Sequence, residues 1–269
     1  MAPLWPPVHP KKSEITRPSR RSISAVCWTG KIPMLLQIDR IHTYYEDSHV
    51  LDGVSLEIAE GQTVAILGRN GVGKSTTLKS IMGLVPPQRG TVLFKNEELV
   101  GMEPFRIARK GIGYVPEERR IFPGLTVREN LIMGLKKGIG KDVRSKASIE
   151  KIYSRLPQLA ARDATLGGNL SGGEQQILTL ARTLIGEPNL VLIDEPTEGL
   201  SPIVAELIFD IIREIRAQGI SVILIDRNLT ETCGMADRVY IMVKGMIAHT
   251  GTGQEVLENE EIQHRYLAV

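Results

Sequence analysis

The sequence predicts an α/β protein: a mostly parallel sheet in a three-layer core, with an antiparallel strand subdomain near the start and a helical subdomain inserted midway. Three observations carry this. After residue 170 short apolar runs alternate with helical periodicity, as in NLVLIDE (189–195), a helical 202–217 and then SVILI (221–225). Before residue 100, strand-like runs lie close together and are separated by turns. Between them, residues 125–170 lack strand signals and hold helical stretches such as TVRENLIMGL and RSKASIEKIYSRL.

With 269 residues, 42% hydrophobic and 24% charged, the chain can bury a good core and reads as one or two globular domains. The net charge of +2 is unevenly placed. Lys11, Lys12, Arg17, Arg20, Arg21 and Lys31 against Glu14 give residues 1–33 a charge of +5 and leave −3 for the rest. A slightly acidic body argues against nucleic acid as a partner. Cys27 and Cys233 form neither a disulfide framework nor a zinc spacing, which suits a reducing cytosol. The apolar runs are far shorter than the roughly 18–20 residues of a bilayer span, so the chain is not expected to cross a membrane alone.

Taken in order, residues 1–33 are basic and rich in Pro and Ser, lack an apolar h-region and read as a disordered extension. Met34 opens the run MLLQIDRI and is a candidate translation start, the alternative being a genuine flexible tail. From there to 269 the sequence reads as one domain. Strands are expected near 35–40, 53–59, 62–67, 91–95, 112–115, 189–193, 220–225, 238–243 and 246–250, and helices near 74–84, 174–185, 202–217 and 229–235.

The stretch GRNGVGKST follows the apolar strand QTVAIL and opens a helix, the context that G-x-x-x-x-G-K-[ST] requires. Gly68, Arg69, Asn70, Gly71, Val72 and Gly73 form a loop whose backbone N–H groups can wrap a β-phosphate. Lys74 then reaches the β/γ oxygens, and the Ser75 hydroxyl, followed by Thr76, ligates Mg²⁺. NLVLIDE is a buried strand ending in two carboxylates: Asp194 is placed to hold Mg²⁺ through water, and Glu195 to orient or deprotonate the attacking water. A second glycine-rich helix start, LSGGEQQ at 170–176, also presents free N–H groups to an anion.

A P-loop, then LSGGEQQ, then LIDEP is an order that resembles the ATP-binding cassette family over nearly all of 35–250. The resemblance implies a P-loop NTPase fold, ATP and Mg²⁺ as ligands, and a head-to-tail pair in which Ser171, Gly172 and Gly173 of one chain meet the γ-phosphate of ATP held by Lys74 of the other. It also implies that Tyr45 stacks on adenine, with Tyr44 as rival, and that Glu117 senses Mg²⁺ and the membrane partner. Three positions depart from the family pattern: Glu117 where glutamine is usual, Ser201 where many members have aspartate, and Arg227 at the position of the switch histidine. Arg227 is therefore a catalytic candidate on the resemblance alone, with a solvent-facing or carboxylate-paired arginine, for example with Asp226, as the plain alternative.

VPEERRIFPGLTVRENL, DEPTEGLSP and the ending HRYLAV are similar to the second ATP-binding subunit of bacterial branched-chain amino acid importers. That branch implies a peripheral location on the cytoplasmic side of the inner membrane. Its partners would be a sister ATPase or a second copy, two transmembrane permeases and, indirectly, a periplasmic solute-binding protein. Urea and short-amide importers have similar ATPases, and a weakly hydrolysing regulator or soluble ATPase is the alternative outside transport. The five histidines show no ligand spacing in the sequence.

Overall fold

The computed structural model describes residues 33–135 and 143–267. The extension read as disordered lies, apart from Pro33, outside the described residues.

The chain begins with a long hairpin, β1 (Met34–Tyr45) and β2 (Ser48–Ala59), followed by β3 (Thr63–Leu67) and α1 (Lys74–Ile81). Next come β4 (Arg89–Phe94), β5 (Glu97–Glu98), α2 (Pro104–Lys110) and β6 (Ile112–Val115). The helices α3 (Val127–Met133), α4 (Val143–Tyr153), α5 (Pro157–Ala160) and α6 (Gly172–Leu184) then lead to β7 (Leu190–Asp194). Then follow α7 (Pro202–Ala217), β8 (Ser221–Ile225), α8 (Leu229–Met235), β9 (Arg238–Val243), β10 (Met246–Gly251), α9 (Gly253–Glu258) and α10 (Glu260–Ile262), with a last helical turn at Gln263–Leu267.

These strands form two sheets, one antiparallel in the order β2-β1-β4-β5 and one in the order β10-β9-β3-β8-β7-β6. In the second, β9, β3, β8, β7 and β6 run parallel and β10 is antiparallel at the edge. The central strands β3, β7 and β8 are buried at every residue and apolar except at Thr63, Asp194 and Ser221 on their ends, because both their faces are covered. Alternation then decides which layer each residue joins. Leu190, Leu192, Ile223 and Ile225 pack with α1 and the antiparallel sheet. Val191, Ile193, Val222 and Leu224 pack with the helices α3 to α7. The α/β class with a mostly parallel sheet is thus the observed architecture.

Differences from the sequence expectation are local. The hairpin continues to Tyr45 and resumes at Ser48, where strands were expected only to 40 and from 53. Its pattern is broken by Arg40 in the left-handed region (φ 45) and by register shifts, which hide the period of two. The unexpected α2 buries only Ile107, too little for a visible stripe, although Pro104 at its start and Gly111 at its end mark it. The parallel sheet brings the ends of β3, β6, β7 and β8 to one edge, where α/β ligand sites form.

Candidate functional site

At the end of β3 the loop 68–73 takes backbone angles that favour glycine: φ is 145 at Gly68, 78 at Gly71 and 108 at Gly73. A Cβ on Gly68 would lie 2.5 Å from the Met242 carbonyl oxygen, and one on Gly73 2.7 Å from Leu51 Cδ2. Gly73 caps α1 with no side-chain hydrogen bond, so the first-turn N–H groups face an open cradle. The Gly245 N–H donates to the Val72 carbonyl (3.0 Å) and ties the loop to the β9–β10 turn. Lys74 is folded back over the loop, its Nζ donating to the carbonyls of Gly68 (2.9 Å) and Arg69 (3.1 Å). Burial lowers the Lys74 ammonium, and Glu195, 3.8 Å away, opposes that shift.

Two carboxylates from the end of β7 meet this loop. Asp194 is buried and accepts from Ser75 Oγ (2.9 Å) and from the Tyr114 hydroxyl (3.3 Å). Burial raises its carboxyl, and those two bonds hold it down. Glu195 turns the chain in the left-handed region (φ 41), fixed by its N–H donating to the Ile225 carbonyl at 2.8 Å. This turn sends its side chain toward Lys74 rather than along the strand. Burial pushes the Glu195 carboxyl up, Glu198 adds to this, and Arg227 and Lys74 oppose it.

Arg227 reaches the same spot from the end of β8. Its Nε donates to Glu195 Oε2 (2.7 Å) and its Nη2 lies 2.8 Å from Glu198 Oε1. Asp226 is not its partner: that carboxylate accepts from Thr197 Oγ1 (2.7 Å) and from the N–H groups of Thr197 and Asn228. A cavity of about 420 Å³ is lined by Asn70, Gly71, Gly73, Lys74, Ser75 and Thr76 of the loop together with Val50, Glu117, Glu195 and Arg227. Gly68 lines a smaller adjoining cavity of about 150 Å³ with Asp226 and Leu229.

The donor set suits a hard cation, since it offers only oxygens: the Ser75 hydroxyl, the Asp194 carboxylate, and Glu117, Glu195 and Glu198, whose ligand atoms lie within 4.8 Å of one another. The sequence-predicted Ser75, Asp194 and Glu117 therefore fit Mg²⁺ by chemistry. Tyr114 and Glu198 were not expected from the sequence. Glu198 was visible only as an acid three residues after Glu195, and nothing marked Tyr114.

Other predicted residues stand apart from this cavity. Ser171, Gly172 and Gly173 open α6 and do not line it. Ser171 and Glu174 form a reciprocal capping box, with the Glu174 N–H donating to Ser171 Oγ (3.3 Å) and the Ser171 N–H to Glu174 Oε2 (2.8 Å). Arg119 and Arg120 connect α6 to the loop of Glu117: the Thr179 hydroxyl donates to the Arg119 carbonyl (2.6 Å) and Arg182 to that of Arg120 (2.7 Å). Tyr45 is at the hairpin tip and 43% exposed, whereas the Tyr44 ring is stacked on His49 at 4.2 Å.

Residues 51–198 match the family described as ABC transporter. The high-affinity branched-chain amino acid transport ATP-binding protein BraG of Pseudomonas aeruginosa is 39% identical, covering 87% of this chain and 99% of that protein. The lipopolysaccharide export system ATP-binding protein LptB of Acidithiobacillus ferridurans is 35% identical, covering 87% and 96%. The crystal structure of an ABC transporter's ATP-binding cassette in its ADP conformation superposes with a TM-score of 0.76 at 28% identity, covering 88% of this chain and 99% of that one. Among the described residues no helix is long and apolar enough to cross a membrane.

Proposed function

The chain belongs to the ABC transporter family as an ATP-hydrolysing subunit, and from that premise we propose that it drives a branched-chain amino acid importer from the cytoplasmic face of the inner membrane. The observation that carries the site assignment is the convergence of Lys74, Ser75, Asp194 and Glu195 on the open N-terminus of α1. ATP phosphates occupy the cradle of N–H groups from 68–76, and Lys74 exchanges its two carbonyl partners for β/γ oxygens. Ser75 and Asp194, with Glu117 directly or through water, would hold Mg²⁺, which would supply neutralisation of the phosphate charge. Glu195 takes the proton of the attacking water, and Arg227, donating to that carboxylate, favours its ionised form against the effect of burial. Tyr45, the more exposed of the two hairpin tyrosines, stacks on adenine.

Hydrolysis is completed by a second subunit, a sister ATPase or another copy, whose Ser171, Gly172 and Gly173 reach the γ-phosphate across a head-to-tail interface. A groove of about 440 Å³ exposes Phe105, Phe122 and Met133 beside Arg109 and Arg182, and this apolar patch supports docking of the permease subunits. A periplasmic solute-binding protein then delivers the solute without touching this chain. On this reading 34–269 is the nucleotide-binding domain, with a helical subdomain at about 125–170.

Identity to BraG over nearly all of that protein favours branched-chain amino acids; comparable coverage of LptB makes lipopolysaccharide export the second reading. The deciding experiment is uptake of labelled leucine by proteoliposomes holding the chain with its co-purified membrane subunits. ATP-dependent uptake supports the importer. A complex that hydrolyses ATP, ignores leucine and is stimulated by lipopolysaccharide supports the second reading.

A further inference from the structure

The hairpin of β1 and β2 brings together two histidines and an aspartate that are scattered in the sequence. His42 pairs across the hairpin with Asp52, and Tyr44 with His49. Residues 49 and 52 are an odd number apart and would face opposite sides of a regular strand. Between the pairs Thr43–Leu51 and Tyr44–His49 the register slips, leaving Val50 as an extra residue in β2. This bulge returns His49 to the face of Asp52. Leu51, next to it, is fully buried in the core, and Val50 lines the nucleotide cavity.

Distances among the donor atoms are close to those of a coordination polyhedron, with the His49–Asp52 separation the longest. His42 Nδ1 lies 3.2 Å from His49 Nε2 and 3.3 Å from Asp52 Oδ1, and His49 Nε2 lies 3.9 Å from the same Oδ1. Zinc bonds of about 2.0–2.2 Å place neighbouring ligands of a tetrahedron about 3.3–3.6 Å apart, so these three atoms outline one face of such a site. The His49 ring is held by stacking on Tyr44 at 4.2 Å and 6°. All three groups keep access to solvent: their side chains are 25%, 34% and 54% exposed for His42, His49 and Asp52.

We propose that His42, His49 and Asp52 bind a zinc-like divalent cation through three protein ligands, leaving one position open. Two imidazoles and a carboxylate suit Zn²⁺, whereas the oxygen-only set around Ser75 and Asp194 suits magnesium, so the two sites discriminate by ligand type. The site does not depend on the transport reading, since none of its residues belongs to the proposed phosphate machinery.

The test is calorimetric titration of the untagged full chain with zinc chloride in excess magnesium, which saturates the oxygen-only site. The expected result is about one equivalent of zinc that is weakened tenfold or more by His49→Ala and by Asp52→Asn, both at exposed positions outside the core. Cobalt(II) gives a second readout: a visible spectrum of tetrahedral type in the native chain, lost in both variants. Zinc affinity that is unchanged in the two variants, or the absence of zinc binding in the native chain, overturns the proposal.

Discussion

The two glycine-rich helix starts look alike in sequence and differ in construction. At α1, Gly73 supplies no side chain, the loop closes in glycine-favouring angles, and Lys74 and two carboxylates crowd the opening. At α6, Ser171 and Glu174 satisfy each other's backbone in a capping box, Arg162 pairs with Glu174 (3.3 Å) and the Arg119 guanidinium packs beside Gly172, and none of these residues lines the cavity around Lys74. The first start is a finished half-site within one chain. The second is, on the reading proposed above, a capped surface that meets a ligand when a second subunit is brought to it. This contrast agrees with a nucleotide bound in cis by the first loop and contacted in trans by the second.

The sharpest way to test the division is to disable chemistry and keep binding. Glu195→Gln removes a general base worth about 10²–10⁴ in rate and leaves the Lys74 cradle in place. Single-turnover hydrolysis should fall by that factor while ATP affinity holds, and an ATP-bound dimer should accumulate on gel filtration. A variant that hydrolyses at the native rate would move the base elsewhere.

In that background Ser171→Arg should separate the two starts. An uncompensated charge forced into the interface costs about 3–5 kcal/mol, or more than 10² in the dimerisation constant. Monomer ATP binding by fluorescence should stay unchanged, and Ser171→Thr, which keeps a capping hydroxyl, should restore the dimer. An equally stable dimer with arginine at 171 breaks the comparison.

Arg227 tests a smaller step within the first site. It carries two carboxylate contacts but is itself 55% exposed. Charged hydrogen bonds contribute roughly 1.5–3 kcal/mol, so Arg227→Ala should lower turnover about 10- to 10²-fold with little change in ATP affinity. Burial already raises the Glu195 carboxyl and Arg227 opposes that rise. Removing the arginine should therefore move the acid limb of the rate profile to higher pH, and Arg227→Lys should return it toward the native position. Faster turnover in the alanine variant would instead mark Arg227 as a clamp that restrains Glu195.

Legibility in the sequence followed how local each signal is. The runs LVLID and SVILI read as strands covered on both faces, and Gly68, Gly71 and Gly73 announced a loop that needs positive φ. The hairpin tip was hidden because Arg40 and the Val50 bulge break the alternation. The partners of Arg227 were equally hidden. They depend on the left-handed turn at Glu195, which sends a strand-end acid sideways, and on Glu198 one turn later. The grouping of His42, His49 and Asp52 depends on register, which spacing in the sequence does not encode.

The smallest effect expected is on stability, and it isolates the capping box from ligand chemistry. Glu174→Ala removes the reciprocal bond to the Ser171 N–H at the start of α6. A lost cap of this kind costs about 1 kcal/mol, which shifts Tm by roughly 2–4 °C in a domain of this size. Backbone and side-chain bonds from Ser171 hold the Glu174 carboxyl below its usual 4.5. A carboxylate lowered by folding stabilises above the unfolded value, and that contribution fades as pH falls through the folded value. Native and variant melting temperatures should thus differ near neutral pH and converge below about pH 4.5. ATP binding to the monomer should be the same in both, because the cavity around Lys74 contains no atom of Glu174. If Glu174→Ala weakens monomer ATP binding as well, the second helix start already serves the nucleotide of its own chain, and the division between the two starts fails.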